Sequence, residues 1–500
     1  MIALAAALLS AVLYAAAVPP WSLDALAPVA IVPLLLALRG RRALAGFGIG
    51  LMFGLAFAAA TTWWVPGMLE RFFFLSGTSA ALGAFGIYLA VAGLPLALFG
   101  CGATRLLGGR RWLAYAGIPA LWVAVELVRA DAFTGLPWEL LGHALYRRLA
   151  LIQVAELTGV YGLSFLCAWT ALATADLLQP LGAGRRSAIA ALVVAGFLWL
   201  GLAAYGSWRL ASFSSPPVTS MPVALVQANR GPARQPSRLR RTETLDAYLR
   251  LTRSRLDGRR TELIVWPENT ASFYLDRDAE PLSALRSLSD ETGGVLLVGG
   301  PRQDDAAGTT HNAAYAIGRD GVLGSYDKVR LVPFAEYAPR GLDAFAGPTA
   351  TLAPGLEPVT VPHPRGPLGV LICYEVLHAD VARELVRRGA QLLVNISNDA
   401  WADPDGAGEA MQTFSMAVFR AVETRRWVLR AATTGISGFI APTGLVGPVL
   451  GAGVADVLPA DVTPLSGVTP YVAVGDLFAN ACVLAALAAL VTTRVGRRLA

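Results

Sequence analysis

The chain is poor in charge, in sulfur and above all in lysine. Only 15% of its 500 residues are Asp, Glu, Lys or Arg, against about 25% in ordinary soluble domains. The deficit is local. Met1 to Gly206 is dominated by Ala, Leu, Val and Gly, Ser207 to about Asp476 has a globular composition, and the remainder is apolar again. That layout points to membrane spans around a soluble domain rather than to a uniformly greasy fold. There are four cysteines, Cys101, Cys167, Cys373 and Cys482, three of them in apolar runs. The soluble domain therefore holds one and cannot form an internal disulfide. The four histidines (His143, His311, His363 and His378) are scattered without zinc-ligand spacing, so neither a metal nor a cofactor is expected. The net charge of +6 is almost wholly arginine. Much of that arginine caps apolar runs, and no nucleic-acid-binding motif accompanies it, so a nucleic-acid partner is not expected.

Eight spans are predicted, at about 2–17, 20–38, 43–60, 78–101, 112–128, 150–178, 187–206 and 476–493. Each is near the length that crosses about 30 Å of hydrocarbon. Orientation follows from the loops. Arg39, Arg41, Arg42, Arg105, Arg110, Arg111, Arg185, Arg186, Arg494, Arg497 and Arg498 follow spans two, four, six and eight. The opposite short loops hold only Arg71, Arg129, Arg147 and Arg148. The richer side is assigned to the cytoplasm. The segment between spans seven and eight then lies outside, in a bacterium the periplasm. The predicted domains are a transmembrane bundle over 1–206, a catalytic domain over 207–475, and a C-terminal span with a basic tail over 476–500. Glu126 and Glu156 lie at or inside spans. Such carboxylates are functional suspects, but two isolated ones are read as helix-packing or interfacial groups.

From Pro222 the pattern changes to short β-branched runs separated by turns. Strands are predicted at Val223–Gln227, Leu263–Trp266, Val295–Gly299, Ala313–Ile317, Leu323–Val329, Gly369–Tyr374, Leu392–Ile396, Val428–Thr433 and Gly438–Ala441. Helices are predicted over about 239–256, 280–291, 377–389 and 408–425. Strands alternating with helices, some as hairpins, suggest an α/β sandwich.

Three residues in this domain carry chemistry. Cys373 ends an apolar strand just before a predicted helix, where a helix dipole would push its thiol toward thiolate. On that segment alone a reactive and a buried structural cysteine stand level. Lys328 is the only lysine in the chain, against 40 arginines. A lone lysine implies a site where a compact ammonium fits and a guanidinium does not. Glu268, at the end of an apolar strand beside Pro267, suits general-base work.

Together these residues carry a resemblance. The order Glu268, Lys328, Cys373 resembles the carbon–nitrogen hydrolase (nitrilase) superfamily, and within it the apolipoprotein N-acyltransferase family. Val265-Trp266-Pro267-Glu268 looks like that family's glutamate motif, and the run from Tyr326 to Tyr337 is similar to its lysine motif. Ile372-Cys373-Tyr374-Glu375 is similar to its cysteine motif, and the run from Asn395 to Trp401 resembles the family's next stretch of chain. Thr134-Gly135-Leu136-Pro137-Trp138 and Tyr161-Gly162-Leu163-Ser164-Phe165 look familial too. The resemblance implies a multi-pass helical membrane bundle plus a periplasmic nitrilase-like αββα sandwich in the inner membrane. It implies Cys373 as nucleophile toward a phospholipid acyl donor, Glu268 as base and Lys328 as oxyanion stabiliser. Glu336 would position Lys328 or the substrate, and Tyr374 and Glu375 would shape the pocket. The acceptor implied is the N-terminal amine of a diacylglyceryl-modified lipoprotein. Two positions depart from the pattern: Asn229 to Arg241 is rich in arginine and lacks a tryptophan, and Thr413 stands where a histidine is expected. The rival readings are a membrane-tethered amide or nitrile hydrolase, an acyltransferase using another amine, and a transporter or receptor with a ligand-binding domain.

Overall fold

Long runs without period-2 alternation become helices in the N-terminal part, and alternating short runs become strands after Pro222. The computed structural model describes residues 1–131, 135–179, 185–213, 220–231, 237–339, 341, 351–402 and 408–499, with side chains as far as Thr493. Thr134 of the Thr134–Trp138 motif, and the side chains of Arg494, Arg497 and Arg498, lie outside the described residues. Two units emerge. One comprises Met1–Leu69, Leu75–Ser214 and Val474–Ala500, and the other Glu70–Phe74 and Ser215–Ala473.

In the first unit, four helices among the described residues are long and apolar enough to cross a membrane: Ala43–Thr61, Gly77–Leu107, Arg111–Asp131 and Arg185–Ser212. Ile2–Ala17 and Leu477–Thr493 are shorter apolar helices. The span expected at 150–178 is a bent pair, Leu149–Thr158 and Tyr161–Leu177, turning by 116° at Gly159, whose φ is +63°. The one expected at 20–38 is not a continuous helix. It holds a short 3-10 turn, Asp24–Leu26, and then the seven-residue helix Val32–Leu38, about 10 Å long. Prolines at 19, 20, 28 and 33 remove helix N–H donors and interrupt the run. Asp24 is held instead by a two-pronged bond from Arg148, at 2.7 and 2.8 Å.

Gly46, Gly50 and Gly54 repeat every fourth residue and line one face of the helix Ala43–Thr61. A Cβ on Gly54 would lie 2.6 Å from the Ala92 carbonyl oxygen, and those on Gly46 and Gly50 would overlap the Gly100 and Leu96 carbonyls. Only hydrogen lets this helix meet Gly77–Leu107 backbone to backbone. The two carboxylates read as helix-packing or interfacial groups are both hydrogen-bonded to neighbouring segments. Glu126 accepts from the Trp122 indole at 2.9 Å and the Leu141 N–H at 2.7 Å. Glu156 accepts from Arg209 at 2.5 and 2.8 Å and from the Tyr205 hydroxyl at 2.6 Å.

The second unit is two β-sheets face to face. The first contains β1 (Met221–Gln227), β2 (Leu263–Val265), β3 (Val295–Asp304), β4 (Thr309–Gly318), β5 (Gly321–Asp327) and β11 (Asp456–Val462), in the order β11-β1-β2-β3-β4-β5. The second contains β6 (Leu368–Ile372), β7 (Leu392–Ser397), β8 (Val428–Ala432), β9 (Ser437–Ile440) and β10 (Val446–Leu450), in the order β10-β9-β8-β7-β6. β1, β2 and β3 run parallel, as do β6, β7 and β8, while the outer pairs are antiparallel. Alternation sorts the side chains. Val223, Leu225, Val265 and Leu297 face Val370, Ile372, Val394 and Leu429 between the sheets. Ala224, Val226, Ile264 and Val298 face the helices Arg238–Leu256 and Ala279–Thr292. The helices Ala379–Arg387 and Glu409–Thr424 pack on the second sheet. This is an αββα sandwich.

Trp266, fully buried, stacks on Tyr248 at 5.1 Å and donates to the Thr252 hydroxyl at 3.2 Å, which fixes the chain leaving β2. On β3, Gly299 lies under that chain. A Cβ there would be 2.7 Å from the Glu268 Cα. Gly299→Ala is therefore expected to push Glu268 outward and cost about 1–3 kcal/mol through overpacking. Thermal unfolding of the detergent-solubilised protein should show a lowered midpoint. An unchanged midpoint would mean the β2 exit relaxes freely.

Candidate active site

Parallel strands deliver their C-terminal ends to one edge of a sheet, and the functional side chains follow those ends directly. Glu268 comes three residues after β2, Cys373 one after β6 and Asn398 one after β7. Lys328 is the residue after β5, and Asn312 reaches in from β4, its carbonyl accepting the Lys328 N–H at 2.8 Å.

The centre is a buried cluster of charges. Lys328 is 1% exposed and Glu268 5%, so neither charge is offset by water. The Lys328 ammonium lies 2.9 Å from Glu336 Oε2 and 3.5 Å from Glu268 Oε1. The Asn312 side-chain amide donates to both carboxylates, at 2.7 Å to Glu268 and 2.8 Å to Glu336. The Asn398 N–H donates to Glu268 at 3.0 Å and the Val332 N–H to Glu336 at 2.7 Å. Burial raises the Glu268 pKa, while Lys328 opposes the rise and Glu336 adds to it. For Lys328, burial works against the charge, but Glu336 and Glu268 outweigh it and its pKa is raised.

Cys373 opens a 3-10 turn, Cys373–Leu377, with φ of +53°. Asn269 and Phe334, beside Glu268 and in the lysine loop, are also left-handed, at +58° and +64°. Each such residue costs about 1–3 kcal/mol. Their clustering at three converging loops marks a site that holds its geometry against local preference. The expected thiolate is not met. Burial raises the Cys373 pKa and Glu268 raises it further, with Lys328 opposing. A turn of five residues carries too little dipole to offset that. The thiol rests protonated and needs a base.

Glu375 is more constrained than a pocket-shaping residue. One oxygen accepts from the Tyr326 hydroxyl at 2.7 Å and the Val329 and Arg330 N–H groups at 2.8 and 3.1 Å. The other accepts the Ile372 N–H at 2.7 Å. Glu375 thus ties the cysteine turn to the lysine loop. Tyr374 is buried, with its ring against His378 at 4.7 Å. Thr413 donates to Glu409 at 2.5 Å.

Sequence reasoning missed Asn312 and Arg430, and gave no individual role to Asn395, Asn398 or Asp399. Arg430, on β8 and fully buried, donates to both Asp399 oxygens at 2.9 Å and also bonds Asn395. Asn395 donates to the Leu371 carbonyl at 2.8 Å and the Cys373 carbonyl at 3.4 Å. An arginine within an apolar strand, Val428-Leu429-Arg430-Ala431-Ala432, was the available signal.

Comparison with known proteins places this arrangement. A model of the carbon–nitrogen hydrolase family matches residues 222–470, and one of the apolipoprotein N-acyltransferase N-terminal domain matches residues 10–173. The soluble part is thus a carbon–nitrogen hydrolase domain, joined to an N-terminal helical region of a particular kind. An apolipoprotein N-acyltransferase of Geobacter metallireducens is 33% identical over 495 residues, covering 96% of this chain and 93% of the relative. One of Allorhizobium ampelinum is 34% identical over 431 residues, covering 82% and 78%. A carbon–nitrogen hydrolase structure from Helicobacter pylori aligns with 49% of this chain and 89% of its own, at 17% identity and a TM-score of 0.39. The chain belongs to the apolipoprotein N-acyltransferase family.

Burial raises the Glu375 pKa to about 7 from an ordinary 4.5, against the pull of its hydrogen-bond donors. The folded protein thus holds this proton more tightly than the unfolded chain. The associated stability is full below pH 4.5 and is lost as pH rises through 7. The stability difference between wild type and Glu375→Gln should therefore shift in the variant's favour between pH 4.5 and 7.5 and level off above about 8. Unfolding midpoints across that range test it. A constant difference would mean Glu375 does not titrate there.

Proposed function

We propose that the protein transfers an acyl chain from a phospholipid, through a thioester on Cys373, to the N-terminal amine of a diacylglyceryl-cysteine lipoprotein. The observation that carries this reading is the Glu268–Lys328–Glu336 cluster, whose Glu268 and Lys328 charges act on the Cys373 thiol. The names of the relatives support the substrate class.

Glu268 takes the thiol proton as Cys373 Sγ attacks the ester carbonyl. Lys328 stabilises the oxyanion. As the C–O bond breaks, Glu268 returns the proton to the departing glycerol oxygen, and a lysophospholipid leaves. The lipoprotein amine then attacks the thioester, Glu268 takes its proton, the amide forms and the thiol is restored. Glu336 fixes Lys328, and Tyr374 and Glu375 hold the turn that presents Cys373. Neither metal nor cofactor is required. The arginine asymmetry of the loops favours an inner-membrane protein with this domain in the periplasm.

Intact mass after incubation with phospholipid alone should rise by one acyl group, removable by hydroxylamine and absent in Cys373→Ala. Lys328→Arg should slow that labelling by about 10²–10³-fold. A diacylglyceryl-cysteine peptide should then discharge the acyl group. Discharge by water at the same rate would make the enzyme a hydrolase, and no mass increase would remove the phospholipid donor.

A further inference from the structure

A cavity of about 340 Å³ opens beside Glu268, lined by Arg230, Arg240 and Arg241 on one side and by Asn269, Thr270 and Thr433 on the other. The lining holds three arginines against one acidic residue, Glu243. Hydrogen bonds anchor the segments that carry these residues. Arg230 follows β1, whose Gln227 amide donates to the Gly451 and Val454 carbonyls at 2.9 Å each. The intervening Asn229 is left-handed, at φ +51°, and donates to the Gly453 carbonyl at 2.7 Å. Arg240 and Arg241 sit in the first turn of the helix Arg238–Leu256, which Ser237 caps by accepting the Arg240 N–H at 3.3 Å. Arg241 donates to the Ser272 carbonyl at 3.4 Å. The floor belongs to the catalytic cluster. Thr270 bonds the Pro267 carbonyl at 2.9 Å, and Thr433 bonds Asn398 at 3.0 Å, whose own N–H holds Glu268.

We propose that this cavity seats the phosphodiester of the donor phospholipid, an inference that rests on the acyltransferase reading above. Guanidinium groups match phosphate oxygens in pairs, and a helix N-terminus adds its positive end. Position in the reaction picks the occupant. When the ester breaks, the acyl chain stays on Cys373 and the glycerol half leaves, taking its proton from Glu268. The leaving half must therefore lie on the Glu268 side, and its phosphodiester reaches the cavity next to that carboxylate. An acidic residue of the acceptor peptide is the competing occupant, but no feature of the acyl transfer requires one.

The test uses the full chain in detergent micelles, with palmitoyl-oleoyl phosphatidylglycerol or the matching diacylglycerol as donor and Cys373 acylation read by intact mass. Arg230 and Arg240 are exposed, so the double variant Arg230→Gln/Arg240→Gln should fold, which an unchanged thermal midpoint checks. Its half-saturating phosphatidylglycerol should rise about tenfold, as for the loss of a charge-assisted bond or two, with the maximal rate changed less than about twofold. Half-saturation by diacylglycerol should not move. Arg250→Gln, exposed on the same helix but outside the cavity, should match wild type with both donors. Unchanged phosphatidylglycerol half-saturation in the double variant would overturn the proposal, as would equal weakening with both donors. A defect confined to discharge of a preformed thioester onto a peptide would give the cavity to the acceptor. Inhibition by inorganic phosphate that the variant loses, without any change for phosphatidylglycerol, would make it a free-phosphate site. Wild type acylated by neither lipid would remove the donor reading itself.

Discussion

One ammonium shared by two carboxylates away from water sets the terms for the catalytic unit. Burying Lys328 alone would drive its proton off, and burying Glu268 without it would favour the protonated acid. Each charge is tolerable only with the others in place. The Asn312 amide and the Asn398 and Val332 N–H groups then occupy further lone pairs of the two carboxylates. Strand ends from both sheets must therefore arrive together. The left-handed residues Asn269, Phe334 and Cys373 are where the backbone bends to achieve it.

The second belt of interactions ties the parts in register. Glu375 joins the cysteine turn to the lysine loop through one side chain. Arg430 and Asn395 join the cysteine turn to the centre of the second sheet. These bonds run between segments distant in sequence, so moving one strand end would disturb the others. The lone lysine follows from the same geometry. A compact ammonium with three donors meets both carboxylates there, at 2.9 and 3.5 Å.

Nine strands were legible because short apolar, β-branched runs bounded by turns are a local signal. The two missed, β10 and β11, lie at sheet edges. β10 is largely exposed, and β11 carries two aspartates and Pro459, which an edge position accommodates. The N-terminal helical region was legible as composition but not as helix breaks, because prolines at 19, 20, 28 and 33 were weighed less than the apolar run around them. Glu268, Lys328 and Cys373 stood out through strand-end position, scarcity and order. Asn312 and Arg430 did not, since a polar residue in a strand reads as solvent-facing until a second sheet is known to cover it.

The protonated resting state of Cys373 has a bearing on durability. Oxidants such as peroxides, and disulfides seeking exchange, attack thiolates far faster than thiols. A buried thiol whose pKa is raised is a poor target for either. The catalytic unit has no second cysteine with which to pair, so a sulfenic acid formed there would have no internal rescue. Withholding the charge thus shields the unit's one thiol from irreversible loss.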